Sequence, residues 1–575
     1  MVFNSPLPDV KIEDGSLTDY VCANHDQFAD FTAFVDEDGN SYTFAQFQKA
    51  FRTVSAGLTA AGFKQGDVCL ILSYNHLQFP VAFHAVSVLG GVVTTCNPAY
   101  TENEISHQLR DSAATFAFVC GPCVATLQRA VEICPGVKRV WVWDEEGMDL
   151  QKRTSEIQLF SDLLDFQTED LLSPRALESK VIESSDLCAL PYSSGTTGLS
   201  KGVMLSHGNI VANLCQIHGL FAFHKGMTVM AVLPFYHIYG LVVVMNHSLR
   251  HGSTVVIMRR FNPTSFLQLI QTHRISWLPI VPPLVLFLSK SPLVDDYDLS
   301  SVTTILCGAA PLGHELAAAC VARLNHVDLR QGYGMTELSP VSHGSPERHS
   351  KFAAAGILLP NTQARIVDPE TDTDVTEPGN RGELWVKGPQ VMQGYLRNEA
   401  ATARTITADG WLRTGDICEV DAEHYFFVVD RLKELIKFKG FQVPPAELEA
   451  ILVSHPAVAD CAVIGSPSSS AGELPKAFVV RAPGTSVTAG ELKDFVKARV
   501  SYYKQLRGGV EFVDMIPKSA SGKILRRLLR DQDLARAKQQ REEEEEHKQD
   551  RAGDRQNKDL ELFSYLDYLA YGVAA

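Results

Sequence analysis

The sequence predicts an α/β protein. It has a large N-terminal part of layered α/β units, a β-rich stretch beyond about residue 360, and a small α+β region ending near residue 530. Three observations lead there. Apolar patterns of helix and strand length alternate through the first half, as successive βαβ units do. Past about residue 360 the apolar runs shorten, and Gly, Pro and Asp turns separate them. The length of 575 residues suits about three to four domain-sized units with substantial cores.

Thr43 and Gln46 form a capping box that opens a helix over 44–61. Residues 67–73 read as a buried strand, 76–89 as a helix and 92–95 as a strand. The alternation resumes with a strand at 254–258, a helix at 263–273 and a strand at 303–307. The turn Gly308 to Leu312 then leads into a helix over 313–324. Short strands follow at 364–367, 382–387 and 425–429. A domain boundary falls at 430–434. Beyond it, helices at 445–453 and 489–500 enclose strands at 459–465 and 476–480. Residues 531–558 are highly charged, with five successive glutamates at 542–546, and read as a solvated helix or tether. Leu562, Leu566 and Leu569 then recur at helical spacing. A terminal amphipathic helix there has two readings, docking on its own protein or on a partner.

Composition excludes several classes. The net charge of −15 lacks the basic face of a broad nucleic-acid binder, although it leaves room for a small polyanionic ligand. The most apolar stretches, 233–249 and 277–288, are interrupted by His237, His247 and prolines, so no transmembrane segment is expected. The N-terminus lacks the basic and apolar regions of a secretory signal, and the last residues are not Ser-Lys-Leu. A cytoplasmic location and twelve reduced cysteines are the expectation. Cys120-Gly121-Pro122-Cys123 sits between a strand and a helix, as a redox C-x-x-C does; the alternative is two incidental thiols in a turn.

The most informative string is YSSGTTGLSKGV, residues 192–203. Ser193, Ser194, Gly195, Thr196, Thr197 and Lys201 place hydroxyls, exposed N–H groups and one cation where phosphate oxygens can be surrounded. Lys201 follows Gly198 by three residues, so this is not a Walker loop, whose lysine directly follows its second glycine. Downstream, Gln331-Gly332-Tyr333-Gly334-Met335-Thr336-Glu337 combines a pocket-lining backbone, an aromatic ring, a phosphate-binding hydroxyl and a carboxylate suited to Mg²⁺. Gly410 to Asp416 ends in an acid suited to ribose hydroxyls, and Asp430-Arg431 adds an acid and a cation. Lys523 follows the flexible Gly522. Taken singly, each motif also fits an ordinary turn.

In order, these strings, with LPFYHIYG (233–240) and DRLKELIKFKGFQVPPAELEA (430–450), resemble the adenylate-forming superfamily. That superfamily comprises acyl-CoA ligases, firefly luciferases and peptide-synthetase adenylation domains. The resemblance spans about 30–530, and 4-coumarate–CoA ligases carry similar strings. It implies an AMP-binding N-terminal domain (1–430) of layered α/β subdomains plus a β-barrel. A hinge (431–434) at Lys433, a small mobile α+β C-terminal domain (435–530) and a tail (531–575) would follow. It implies ATP, Mg²⁺ and coenzyme A, with a small carboxylic acid as substrate. Ser193 to Thr197 and Lys201 would hold phosphates. Ala309, Gln331, Gly332 and Thr336 would contact the adenylate, Asp416 the ribose, with Arg431 nearby. Glu337 would hold the metal.

By the same resemblance Lys523 would bridge carboxylate and α-phosphate. Lys437, Lys439, Gly440 and Gln442 would serve the second half-reaction, and Arg260 coenzyme A. The acyl pocket would comprise His237, Tyr239, Val243, Leu306, Gly334, Pro340 and Val341. Val243 and Leu338-Ser339 depart from plant 4-coumarate ligases, which leaves an arylpropenoic acid and a medium-chain fatty acid both open as substrate. Luciferase-type oxygenation and non-catalytic binding are the alternatives in function. Relatives can be peroxisomal, but this sequence does not end in the address.

Overall fold

In the computed structural model, Thr43 caps the helix Phe44–Ala60 as the sequence predicts. Its hydroxyl accepts from the Gln46 N–H at 3.1 Å, and its own N–H donates to Gln46 Oε1 at 2.8 Å. The structure describes residues 1–143, 157–166, 181–193, 200–349, 351–375, 377, 379–439, 441–468, 471–519, 522–536 and 538–539. The chain divides into two units. One holds Met1–Lys433 together with residues 522 and 523; the other starts at Glu434 and takes the remainder.

In the first unit, Val68–Leu72, Val92–Cys96, Phe116–Val119, Arg139–Val142 and Ile157–Leu159 run parallel in one sheet. Val92–Cys96 is buried throughout, as a parallel strand covered on both faces must be. A second sheet has the parallel core Thr254–Ile257, Thr228–Ala231, Trp277–Ile280, Thr304–Cys307 and Asp328–Gly334. Its last strand turns back antiparallel into Val341–Gly344. The helices Gln78–Ser87, Pro263–Thr272 and His314–Arg323 match the predicted segments to within about three residues. The β-rich stretch forms a curled antiparallel sheet: Phe3–Asn4, Gln363–Val367, Gly382–Lys387, Leu412–Val420 and Phe426–Arg431. One continuous apolar core underlies the unit.

The 233–249 stretch folds unexpectedly. Tyr239–Asn246 is a buried π-helix, a form concentrated at functional sites. Its entry is tight: a Cβ on Gly240 would lie 2.2 Å from the Pro234 carbonyl oxygen, so only glycine fits.

In the second unit, the strands predicted at 459–465 and 476–480 are much longer, Val458–Ser468 and Gly472–Arg481. They pair in register through Gly465 opposite Pro475 and Pro467 opposite Glu473, residues that read as turn formers in isolation. The compact part also extends past residue 530. The Asp533 carboxylate is buried, accepting from Ser466 Oγ and Lys476 Nζ, each at 2.6 Å. The rest of the tail, from residue 540, and the terminal helix expected there lie outside the described residues. Among the described residues no helix is long and apolar enough to cross a membrane.

Candidate functional site

Two polar clusters assemble in the first unit, and the residues named for the acyl pocket are packed in its core. In the first cluster, the short strand Tyr192–Ser193 pairs with Lys201–Ser206, setting Ser193 opposite Lys201. Residues 194–197, named above for phosphate binding, lie outside the described residues. Ser193 Oγ donates to Glu337 Oε1 at 2.9 Å, and Tyr395 Oη donates to the same oxygen at 2.8 Å. Lys201 Nζ lies 4.3 Å from the centre of the Tyr395 ring. Burial lowers the pKa of Lys201, while the Glu337 carboxylate raises it in part compensation. A carboxylate 5% exposed, with two neutral donors and a cation nearby, is a suitable hard-oxygen ligand for Mg²⁺. Thr336 precedes it in the short turn Thr336–Leu338. Tyr395 belongs to no motif noted in the sequence. Only the pairing of Gly394–Tyr395 with Lys201–Ser206 brings it here.

The second cluster joins the QGYGMTE, GWLRTGD and DRLK strings. Neighbouring antiparallel strands place Asp416 opposite Arg431, with Asp416 Oδ1 3.3 Å from Arg431 Nε. Tyr333 Oη donates to Asp416 Oδ2 at 2.7 Å. Burial, then the Asp416 charge, pushes the Tyr333 phenol well above its ordinary pKa, so it stays a donor. The Gln331 side chain is held internally: its Oε1 accepts from the Leu312 N–H at 3.1 Å and its Nε2 donates to the Phe352 carbonyl. Ala309 has φ of 72°, a left-handed conformation unusual for alanine and typical of strained site loops.

Lys523 belongs to the same unit. Burial, followed by the Arg431 charge, lowers its ammonium pKa to about 8, while Asp416 and Glu337 raise it in opposition. His237 is kept neutral, its pKa lowered to about 3 by burial and then by Lys523.

Of the residues expected at the acyl pocket, Tyr239 is buried and its hydroxyl donates to the Leu306 carbonyl at 3.0 Å. Val243 lies fully buried one turn on, and Val341 is clamped by Asn213, which donates to its carbonyl at 2.7 Å and accepts its N–H at 3.1 Å. Gly334 is the tightest point. A Cβ there would meet the Pro340 carbonyl oxygen at 1.9 Å, the oxygen that accepts the Met335 N–H at 2.9 Å. Gly334→Ala is therefore expected to destabilise the protein by about 3 kcal/mol, the upper part of the overpacking range. Urea denaturation checks this, and an unchanged midpoint would refute so close an approach. Arg260 is exposed, its guanidinium stacked 4.0 Å over Tyr74.

In the second unit, Ile436–Phe438 and Phe441–Val443 form a hairpin with Lys437 opposite Gln442. Lys437, Lys439 and Gln442 are all exposed on it, and Gly440 lies outside the described residues. Cys120 and Cys123 are buried, and hydrogen bonding to Cys120 followed by burial raises the pKa of Cys123. That is the reverse of the lowered pKa a reactive C-x-x-C needs.

Comparison with known proteins fits this geometry. The family model described as AMP-binding enzyme matches residues 22–396, and that of the AMP-binding enzyme C-terminal domain matches 447–523. 4-Coumarate–CoA ligase 1 of Solanum tuberosum is 41% identical over 543 residues, covering 92% of this chain and 96% of that protein. The probable 4-coumarate–CoA ligase 1 of Dictyostelium discoideum is 39% identical over 541 residues, covering 92% and 97%. Among solved structures, ATP-bound MatB from Rhodopseudomonas palustris aligns with a TM-score of 0.79 at 27% identity, covering 90% of this chain and 99% of that one. An anthranilate CoA ligase bound to anthranoyl-AMP, at 23% identity, shares the fold with a TM-score of 0.84, covering 92% and 99%. The motifs, the fold and these relatives agree, and the chain belongs to the AMP-binding enzyme family as an acid–thiol ligase.

Proposed function

We propose that this protein joins an apolar carboxylic acid to coenzyme A through an acyl-AMP, with an arylpropenoic acid of the 4-coumarate kind as its substrate. The 41% identity with a 4-coumarate–CoA ligase over 92% of the chain carries this reading. Val243, Leu306 and Val341, the side chains assigned to the acyl pocket, are buried and aliphatic, which supports an apolar acid. In the first step a carboxylate oxygen attacks the α-phosphorus of ATP, the bond to the β-phosphate oxygen breaks, and pyrophosphate leaves. Two anions meet in that step, so fixed positive charge lowers its barrier. Lys523 supplies it, with Lys201 on the phosphates and Arg431 beside the Asp416 that takes the ribose. Mg²⁺ held by Glu337 would neutralise phosphate charge. In the second step the thiol sulfur of coenzyme A attacks the acyl carbonyl, the bond to AMP breaks, and the thiol proton passes to solvent.

Lys523 serves only the first step. The second draws on Lys437, Lys439, Gly440 and Gln442, with Arg260 on coenzyme A, after a rotation at Lys433. Proline fixes φ near −65°. Lys433→Pro is expected to lower overall thioester formation at least about 10-fold while adenylation continues. An unaltered overall rate would count against the hinge. The function itself is tested by labelled-pyrophosphate exchange into ATP across a panel of aryl and fatty acids, with thioester assayed in parallel. Exchange with 4-coumarate ahead of medium-chain acids is expected. No exchange with any acid would refute the ligase reading, and preference for a fatty acid would refute the substrate.

A further inference from the structure

Three histidines that the proposed reaction does not use meet in the first unit. His218 closes the helix His207–His218. His247 and His251 open and close the helix His247–His251, which continues directly from the π-helix Tyr239–Asn246. One ring nitrogen from each lies within 4.8 Å of one from each of the others. His247 and His251, four residues apart, share a helix face, the spacing at which two imidazoles reach one ion.

The hydrogen bonding supplies an independent reason to look for a ligand. His247 is fully buried, and its Nε2 lies 2.9 Å from the Phe221 carbonyl oxygen. A carbonyl can only accept, so Nε2 carries the proton and Nδ1 is left with a lone pair. That Nδ1 is buried and has no partner. Metal-binding histidines are oriented in this manner, by a carbonyl on the far nitrogen. His218 Nδ1 and His251 Nε2 are likewise buried without a partner. Three orphaned nitrogens in one place are costly unless something satisfies them.

We propose that His218, His247 and His251 bind one divalent transition-metal ion, Zn²⁺ in the first instance. Three neutral imidazoles suit Zn²⁺ and leave a fourth position for water or an anion. Burial lowers the pKa of all three rings, of His247 to about 3 and of His251 to about 2, so at neutral pH no proton has to be displaced. Two features set the affinity. The His218 and His251 rings stack at 3.9 Å with planes 7° apart. One ring must therefore turn before both can point at a single ion, with Zn–N of roughly 2.0–2.1 Å. Arg250, whose guanidinium lies 4.4 Å over the Tyr20 ring, repels positive charge on His218 and His251 and weakens a bound dication. The ion would tie the end of the His207–His218 helix to the end of the helix carrying Tyr239 and Val243.

The test uses the full-length chain stripped with chelator and titrated with Zn²⁺ against a chromogenic competitor. Co²⁺ absorption in the visible range is followed in parallel. His218→Gln and His251→Gln are the variants, because both rings are half-buried and can be replaced without removing the His247 bond to Phe221. Melting in chelator establishes that each variant is folded; if one is not, the other decides. One Zn²⁺ per wild-type chain is expected, with affinity at least about 10-fold weaker in each folded variant and a loss of Co²⁺ absorption. Equal Zn²⁺ affinity in wild type and variant, or an unchanged Co²⁺ spectrum, would overturn the site.

Discussion

Lys523→Ala is expected to slow adenylate formation about 10²–10³-fold, the cost of deleting one preorganised charge at a reacting phosphate. Thioester formation from supplied acyl-AMP should stay near the wild-type rate, because the proposed second step makes no use of this ammonium. The two half-reactions are measured separately, the first by pyrophosphate exchange and the second by thioester release. Equal loss of both would contradict the division of labour between Lys523 and the hairpin bearing Lys437 and Gln442. The pH profile adds a constraint. Burial, then Arg431, lowers the Lys523 pKa to about 8, so the charged form is lost as pH rises through that value. Adenylation should therefore decline on the basic side near pH 8. Lys523→Arg keeps its charge there, and its rate, though lower for want of the lysine geometry, should hold level across the same range.

Mild acid is expected to unfold this protein well before its carboxylates titrate. His25, His84, His207 and His343 are buried neutral in the first unit, burial being the first cause of each lowered pKa. Their values are about 4, 3, 4 and 3, against 6.5 for a free ring. The unfolded chain therefore takes up protons below pH 6.5 that the native state refuses, and stability falls as pH drops through that window. By pH 5.5 each ring costs about 1.4 kcal/mol, and the four together about 5.6 kcal/mol. Total stabilities are on the order of 5–15 kcal/mol, so this loss is severe. His207 shows why the native state resists: its Nδ1 accepts the Leu17 N–H at 3.0 Å, and a proton on Nδ1 would eject that bond. Urea midpoints at pH 7.5 and pH 5.5 decide the matter, and equal midpoints would sink the argument.

Much of the site can be read from the sequence because its residues lie in short strings with chemical content. Ser193, Glu337, Asp416 and Arg431 come from four separate strings, and strand pairing brings them into two clusters. The capping box at Thr43 and the buried strand Val68–Leu72 are local features, legible for the same reason. Tyr395 was not legible. Its strand is two residues long, and nothing nearby in sequence marks a tyrosine that will reach Glu337. The π-helix was hidden because Tyr239–Asn246 is apolar almost throughout, so no face contrasts with another and periodicity carries no angle. The long hairpin of the second unit was cut short by Gly465, Pro467 and Pro475, which tertiary pairing tolerates. The histidine triad escaped because 28 residues of helix, strand and loop separate His218 from His247.

The π-helix Tyr239–Asn246 also bears on how the proposed acyl pocket can change. Each of its turns holds one residue more than an α-turn. Deleting a single position there can be absorbed by relaxation to ordinary winding, which keeps the following helix near its place and turns the residues inside the segment. Val243, proposed above for the acyl pocket, would then face another way, and another side chain would take its place. An overfilled coil of this kind can thus be remodelled by the loss of one codon, where a regular helix would need several coordinated substitutions.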